Sequence, residues 1–191
     1  MRIGAVTVIL LVLWNASVRA AEQPKVLANI TPLPIAIDPD FQFRKTKIFA
    51  LEDQSKLNKK TGKRGENTNA AGASRTGSTV QDASITFERQ YRLYGAVTGL
   101  DRRQRYGDYF DFFWRAKRPA DLTVRLEYQQ QKLHAHVQAQ EISYSNVRGT
   151  HKSEFKVIGD DYADGGGVTA WRCLLVEHGR IVAETHSFLW D

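Results

Sequence analysis

From residue 84 onward, apolar side chains return at nearly every second position. Leu122, Val124, Leu126 and Tyr128 alternate with Thr123, Arg125, Glu127 and Gln129; Ile85, Phe87, Arg89, Tyr91 and Leu93 share one parity; Phe110, Phe112 and Trp114 share another. A repeat of two belongs to an extended strand, whose successive side chains leave opposite faces of a sheet. The pattern predicts strands over 85–95, 108–115, 122–129, 133–140 and 154–159, with a loosely alternating strand over 41–51 before them. A hairpin follows over 168–190, its turn at His178 and Gly179 and both arms apolar on two faces, as in strands covered on both sides. A tight reversal near 130–132 would set Val124 and Leu126 against Ala135 and Val137, leaving Arg125 and Glu127 opposite His134 and His136. No capped helical stripe is visible after residue 84.

Strands recurring every 10 to 15 or so residues, with polar turns between, predict an all-β fold. The expected form is a two-sheet antiparallel immunoglobulin-like sandwich of about seven to nine strands, the alternative a small β-barrel. The Trp114 strand and the strand carrying Trp171 and Cys173 resemble the inward tryptophan and paired central strands of such sandwiches. The ending AWRCLLVEHGRIVAETHSFLW is similar to that of small secreted bacterial β-sandwich proteins of unassigned function, a likeness covering the C-terminal half and carrying no site residues. With a single cysteine, the inter-sheet disulfide of antibody domains is absent.

The first residues change the picture of where the chain works. Arg2, an apolar run from Ile3 to Trp14 and a small-residue ending at Ala20 form a secretory signal pattern, which predicts cleavage after Ala20 and a periplasmic or secreted protein. Retention as an anchor is the alternative. Residues 21–40, with four prolines, read as an N-terminal arm, and 41–191 as one domain. Export also changes the meaning of Cys173: alone in an apolar run, it reads as a small buried hydrophobe.

Positive charge is local. Between Ser55 and Val80 lie Lys56, Lys59, Lys60, Lys63, Arg64 and Arg75 against Glu66 alone, in a Gly-, Asn- and Ser-rich stretch. Such composition predicts a disordered basic insertion at 55–80, able to contact an anionic polymer or membrane surface. No aromatic ring is interleaved there to stack on bases, which argues against nucleic acid.

The aromatic run DYFDFFW divides by parity. Phe110, Phe112 and Trp114 belong inside, and Tyr109 and Phe113, with Tyr106 and Arg115, remain as a candidate platform for a protein or an envelope polysaccharide. His134 and His136 would share one strand face, but two nitrogens do not make a zinc centre. Asp160, Asp161 and Asp164 depart from the calcium-loop template, with Tyr162 at a ligand position and Trp171 where the closing glutamate belongs. Neither a metal nor a cofactor is expected. With no GxSxG and no GxxxxGK, the first reading is a non-catalytic binding or assembly module that docks through an aromatic strand face or a sheet edge. A carbohydrate-active or other hydrolase, and an anionic-polymer or membrane-surface binder using the basic insertion, are the alternatives.

Overall fold

The computed structural model describes residues 23–53 and 80–190. The predicted signal and the six basic residues from Lys56 to Arg75 lie outside that range. In chain order the elements are β1 (Lys25–Leu27), β2 (Phe41–Leu51), α1 (Val80–Leu93), α2 (Gly99–Arg103), β3 (Gly107–Gln130), β4 (Val137–Ile158), α3 (Asp160–Gly165), β5 (Val168–Glu177) and β6 (Arg180–His186). The described strands form one antiparallel sheet of six, ordered β1-β4-β3-β5-β6, with β2 also on β3.

Two strands set the architecture. β3 pairs with β4 along nearly its whole length, while its other edge is shared: β2 takes the first half, from Gly107 to Ala116, and β5 the second, from Thr123 to Gln130. A straight strand would hold Phe112 and Tyr128 about 53 Å apart, at roughly 3.3 Å per residue. Yet Trp171, the partner of Tyr128, meets Phe112 with ring centroids 5.4 Å apart. The sheet is therefore doubled over. The fold lies where the register breaks between Ala116 and Leu122, with Ala120 alone paired to Val147, beside Pro119, which has no N–H to offer a ladder. Across from it, β4 turns through Asn146 and Gly149, both at positive φ, and the Asn146 N–H donates to Asp121 Oδ1 at 2.7 Å. Two predicted strands on each side of these bends are thus single long ones, which brings the count below the seven to nine expected.

Even-numbered residues of β3 face inward on both sides of the bend. Phe110, Phe112, Trp114, Ala116, Leu122, Val124, Leu126 and Tyr128 are all buried. They pack with Phe155, Val157, Cys173 and Leu175 in one core, in which Phe112 meets Phe43, Phe155 and Trp171. The inward Trp114 indole N–H donates to Ser153 Oγ at 2.9 Å, so its polar end is matched inside.

The N-terminal arm is a strap across the second layer. At one end β1 pairs with Ala139–Glu141 of β4; at the other, Ala36 and Asp38 donate to the carbonyls of Ile181 and Val182 on β6. Between them the Thr31 carbonyl accepts from Arg125, and Leu33 packs on Leu174, Val176 and Ile181. β5 is accordingly buried on both faces, as its apolar arms predict. Under the strap runs an ionic ladder, Arg172–Glu127–Arg125–Glu141, with separations of 2.7, 3.6 and 2.5 Å. Arg118 clamps the arm's far end, bonded to both Asp38 and Glu177.

Four expectations need correction. Residues 85–93 lie in helix α1: apolar residues fit both periods over so short a stretch, and Glu88 with Arg92 forms an i, i+4 ion pair at 3.3 Å that only a helix brings together. The β3–β4 connection is longer than a tight reversal, running over 131–136 and tied to the α3–β5 junction by Gln131 N–H to Gly167 O and Lys132 N–H to Gly165 O. Val124 and Leu126 consequently face Ile142 and Gln140, and Arg125 faces Glu141, not a histidine. Residues 160–165 are helical rather than loop. By contrast, β2 occupies Phe41–Leu51 as read, and the turn at His178 and Gly179 has both residues at positive φ, as a two-residue hairpin requires.

Truncating Phe112 to alanine is expected to cost about 3–5 kcal/mol in urea denaturation, and Phe113→Ala less than about 1.5 kcal/mol. Equal losses would contradict the assigned facing.

Candidate functional site

On the outer face of the first layer, β3 presents Tyr109, Asp111, Phe113 and Arg115. Helix α1 roofs part of this strip. The Arg92 guanidinium lies 4.0 Å from the Tyr109 ring centroid and 5.3 Å from that of Phe49, and the Tyr109 hydroxyl donates to Arg105 O at 2.6 Å. Tyr109 is therefore only 6% exposed, and burial pushes its phenol above the ordinary value. Phe113 is half-buried between the ammonium groups of Lys47 and Lys152, at 5.9 and 5.8 Å. Arg115 is exposed, and half-buried Tyr106 accepts the Gly159 N–H through its carbonyl. Of the four residues expected on a platform, Arg115 is exposed, Tyr106 and Phe113 are half-buried and Tyr109 is buried.

The site that parity did not foresee lies beside this strip. Gly149–Ile158 of β4 is paired to β3 on one side, and among the described residues no strand pairs with its other side. The Lys156 carbonyl accepts from Gln140 Nε2 at 3.1 Å, so it points away from β3 into the seam where the two halves of bent β4 face each other. In an antiparallel ladder a residue's N–H and C=O point the same way and alternate along the strand. The unbroken register from Gly149 to Ile158 thus turns the main-chain groups of Lys152, Glu154 and Lys156 toward the seam. Among the described residues, side chains bridge it: Gln140 to Lys156, and Tyr144 to Ser153 at 2.8 Å.

A cleft of about 570 Å³ lies on either side of this edge. One is walled by Gln140, Ile142 and Tyr144 with β1; the other by Tyr91, Tyr94 and Arg105 with Tyr109 and Asp111. Lys152, Glu154 and Lys156 form the ridge common to both. Lys152 bridges Asp111 at 3.1 Å and Glu154 at 2.5 Å. Burial disfavours its ammonium, yet the two carboxylates outweigh that and hold its pKa above the usual lysine value. The hydrogen bond from Lys152 keeps Glu154 below the ordinary carboxylate range, against partial burial. Both groups are charged at neutral pH. The signal for this row was present in KSEFK, with charges on one parity and Ser153 and Phe155 on the other, but which strand edge stays unpaired is a property of topology.

His134 and His136 sit in the exposed 131–136 connection, and no group of three or more His, Cys, Asp or Glu able to hold a metal ion occurs among the described residues. Asp160, Asp161 and Asp164 lie on α3, where the Asp161 carbonyl accepts from Gln130 Nε2. Cys173 is buried in the core, which pushes its thiol well up, away from a reactive thiolate.

Asp108 closes the doubled sheet at its end. Its Oδ2 accepts the Val168 N–H at 2.7 Å, joining the start of β3 to the start of β5. Burial raises its pKa against that hydrogen bond, and the neighbouring Glu52 charge raises it further. A raised carboxyl stabilises the fold fully below the unfolded carboxylate range and loses that contribution as pH rises through the folded pKa. Asp108→Asn, which retains an acceptor for Val168, is expected to melt higher than the parent at neutral pH. It should also lack the parent's gain in Tm between neutrality and about pH 4, a range that begins above the ordinary carboxylate value. Melting curves across that range check both signs.

Comparison with protein-family models, with curated proteins and with solved structures finds no match to this chain.

Proposed function

We propose that this chain is an exported, non-catalytic binding or assembly module that takes an extended segment of a partner protein onto the β4 edge. The observation that carries the reading is an edge with unpaired main-chain groups set between two clefts. A strand laid along it would bond to the backbone of Lys152, Glu154 and Lys156, while its alternate side chains entered the Tyr144 cleft on one side and the Tyr91–Tyr109 cleft on the other. Main-chain pairing would supply affinity, and the clefts with the Lys-Glu-Lys row would supply selection. The N-terminal apolar run supports export, and a periplasmic or secreted location belongs to the same proposal. In this reading the doubled sheet serves as a sandwich of the immunoglobulin kind whose layers share their long strands, in keeping with the likeness to small secreted β-sandwich proteins. The partner is a protein of the cell envelope, and no cofactor is required.

Proline at residue 154 makes a selective probe. The Glu154 N–H faces the seam, so Glu154→Pro removes a donor from the free edge without taking one from the β3 ladder. Peptides enriched on the parent protein from a random library are expected to lose at least about tenfold in affinity for Glu154→Pro, with little change in melting temperature. Protection of the β4 amides in hydrogen exchange should accompany binding to the parent. Equal binding by the variant, or enriched peptides that protect other strands, would remove the reading.

A further inference from the structure

A second surface begins at Tyr91 and Tyr94, on the far wall of the cleft beside the β4 edge, and extends away from it. Phe87 and Tyr91 on α1 and Tyr94 just past its end recur at helical spacing i, i+4, i+7, and Val97 in the turn to α2 and Leu100 in α2 follow at once. They are 66%, 69%, 85%, 81% and 65% exposed. The rings of Phe87 and Tyr91 stack on each other, with centroids 6.4 Å apart and planes 15° apart. Helix α1 is held to the body through its opposite side, where Arg92 stacks on Tyr109 and Arg89 donates to the Glu52 carbonyl at 2.9 Å. The aromatic face is consequently turned outward. Five large apolar side chains this exposed within fourteen residues exceed the scattered surface apolarity of an ordinary protein.

The charge around them selects the occupant. Residues 83–105 carry Arg89, Arg92, Arg102, Arg103 and Arg105 against Glu88 and Asp101. Arg89 and Arg92 face the body on the opposite side of α1, whereas Arg102 and Arg103 are exposed beside Leu100; Arg102 and half-buried Arg105 bond to main-chain carbonyls, which hold a guanidinium in place without cancelling its charge. The rim is therefore positive. A second copy docked through the same face would set two such rims against each other, since a two-fold interface matches a patch to itself. An anionic bilayer complements the rim, and it suits tyrosine, whose ring enters the apolar boundary while its hydroxyl stays among the head groups.

We infer that the α1–α2 segment is a membrane-surface contact, seating Phe87, Tyr91, Tyr94, Val97 and Leu100 in the head-group boundary of an anionic bilayer with Arg102 and Arg103 against lipid phosphates. The contact shares Tyr91 and Tyr94 with the wall of the second cleft but uses none of the β4 main chain, so it does not depend on strand pairing there. It would hold the edge close to a membrane without a spanning segment, and none of the described helices is long and apolar enough to cross one.

An environment-sensitive fluorophore on Tyr94→Cys, where the buried Cys173 stays unreactive, reads the contact directly. A second sample labelled at Arg148→Cys, at the exposed β4 bend, serves as control. Vesicles of phosphatidylethanolamine and phosphatidylglycerol are expected to shift the emission at 94 to the blue and leave that at 148 unchanged, with phosphatidylcholine vesicles doing little. The shift should weaken as salt is raised, because screening acts on the arginine rim. A Phe87→Ser, Tyr91→Ser, Tyr94→Ser variant should lose at least about tenfold in vesicle partitioning. Glu154→Pro should partition like the parent, so failure of the peptide edge and failure of this contact are separately visible. An unresponsive label at 94, or undiminished partitioning by the triple variant, overturns the inference. So does a blue shift that grows with protein concentration without lipid, together with a dimer that the triple variant loses in sedimentation.

Discussion

The inner face of β3 must stay inside through a strand too long to remain straight, and the rest of the molecule follows from that. An unbent strand of this length would leave half its apolar face without a partner, since no other layer of sheet is present among the described residues to cover it. Doubling over sets the first half against the second, so that Phe110, Phe112 and Trp114 find Trp171 and Cys173 across the core. Hydrophobic burial drives the fold, and the break in register beside Pro119 gives it a hinge line at little loss of hydrogen bonds. One residue marks how tightly β3 and β4 are joined where β3 begins. Gly107 sits at φ +144°, and a Cβ there would lie 2.1 Å from the Val157 carbonyl, so no side chain fits at the strand's first position.

The bend also explains why the seam exists. The β3–β4 hairpin folds as a pair, so the outer edge of β4 is brought round to face itself, and β1 covers only three residues of it. The other margin is treated differently: β6 receives main-chain bonds from the arm, and the clamp of Arg118 to Asp38 and Glu177 secures that cover. The β6 edge is thus met by the chain's own backbone, whereas Gly149–Ile158 of β4 is bridged by side chains. A row of Lys152, Glu154 and Lys156 on the open margin also discourages two copies from joining edge to edge, as charged edge residues do in many sheets.

How much of this could be read beforehand depended on whether a feature was local. Side-chain facing was legible: Phe110, Phe112 and Trp114 are buried where alternation put them, β2 runs from Phe41 to Leu51, and the His178–Gly179 turn stands where Gly follows a polar residue between apolar arms. The continuity of β3 was not, because Pro119 is ordinarily a strand breaker and only the tertiary bend makes its missing donor harmless. Helix α1 was hidden for another reason. Apolar residues at 85, 87, 91 and 93 satisfy a period of two, while 87, 91 and 94 satisfy a period of 3.6, and the Glu88–Arg92 pair that settles the matter is a single contact. Of the candidate site, the outward tyrosines and the charged row were visible as side chains, but their meeting around an unpaired edge required the strand order.

The strap has a mechanical consequence. Because it is fastened to β4 at one end and to β6 at the other, it acts like a cross-tie on a barrel hoop: the intervening strands cannot splay unless one fastening gives way first. Peeling it back would bare Leu174 and Ile181 together with the carboxylate of Glu127 and its two guanidinium neighbours, an adhesive greasy stripe beside charges suddenly open to water. A protein cut between Leu27 and Pro34 would release β1, keep the other five strands of its sheet and still become prone to clumping.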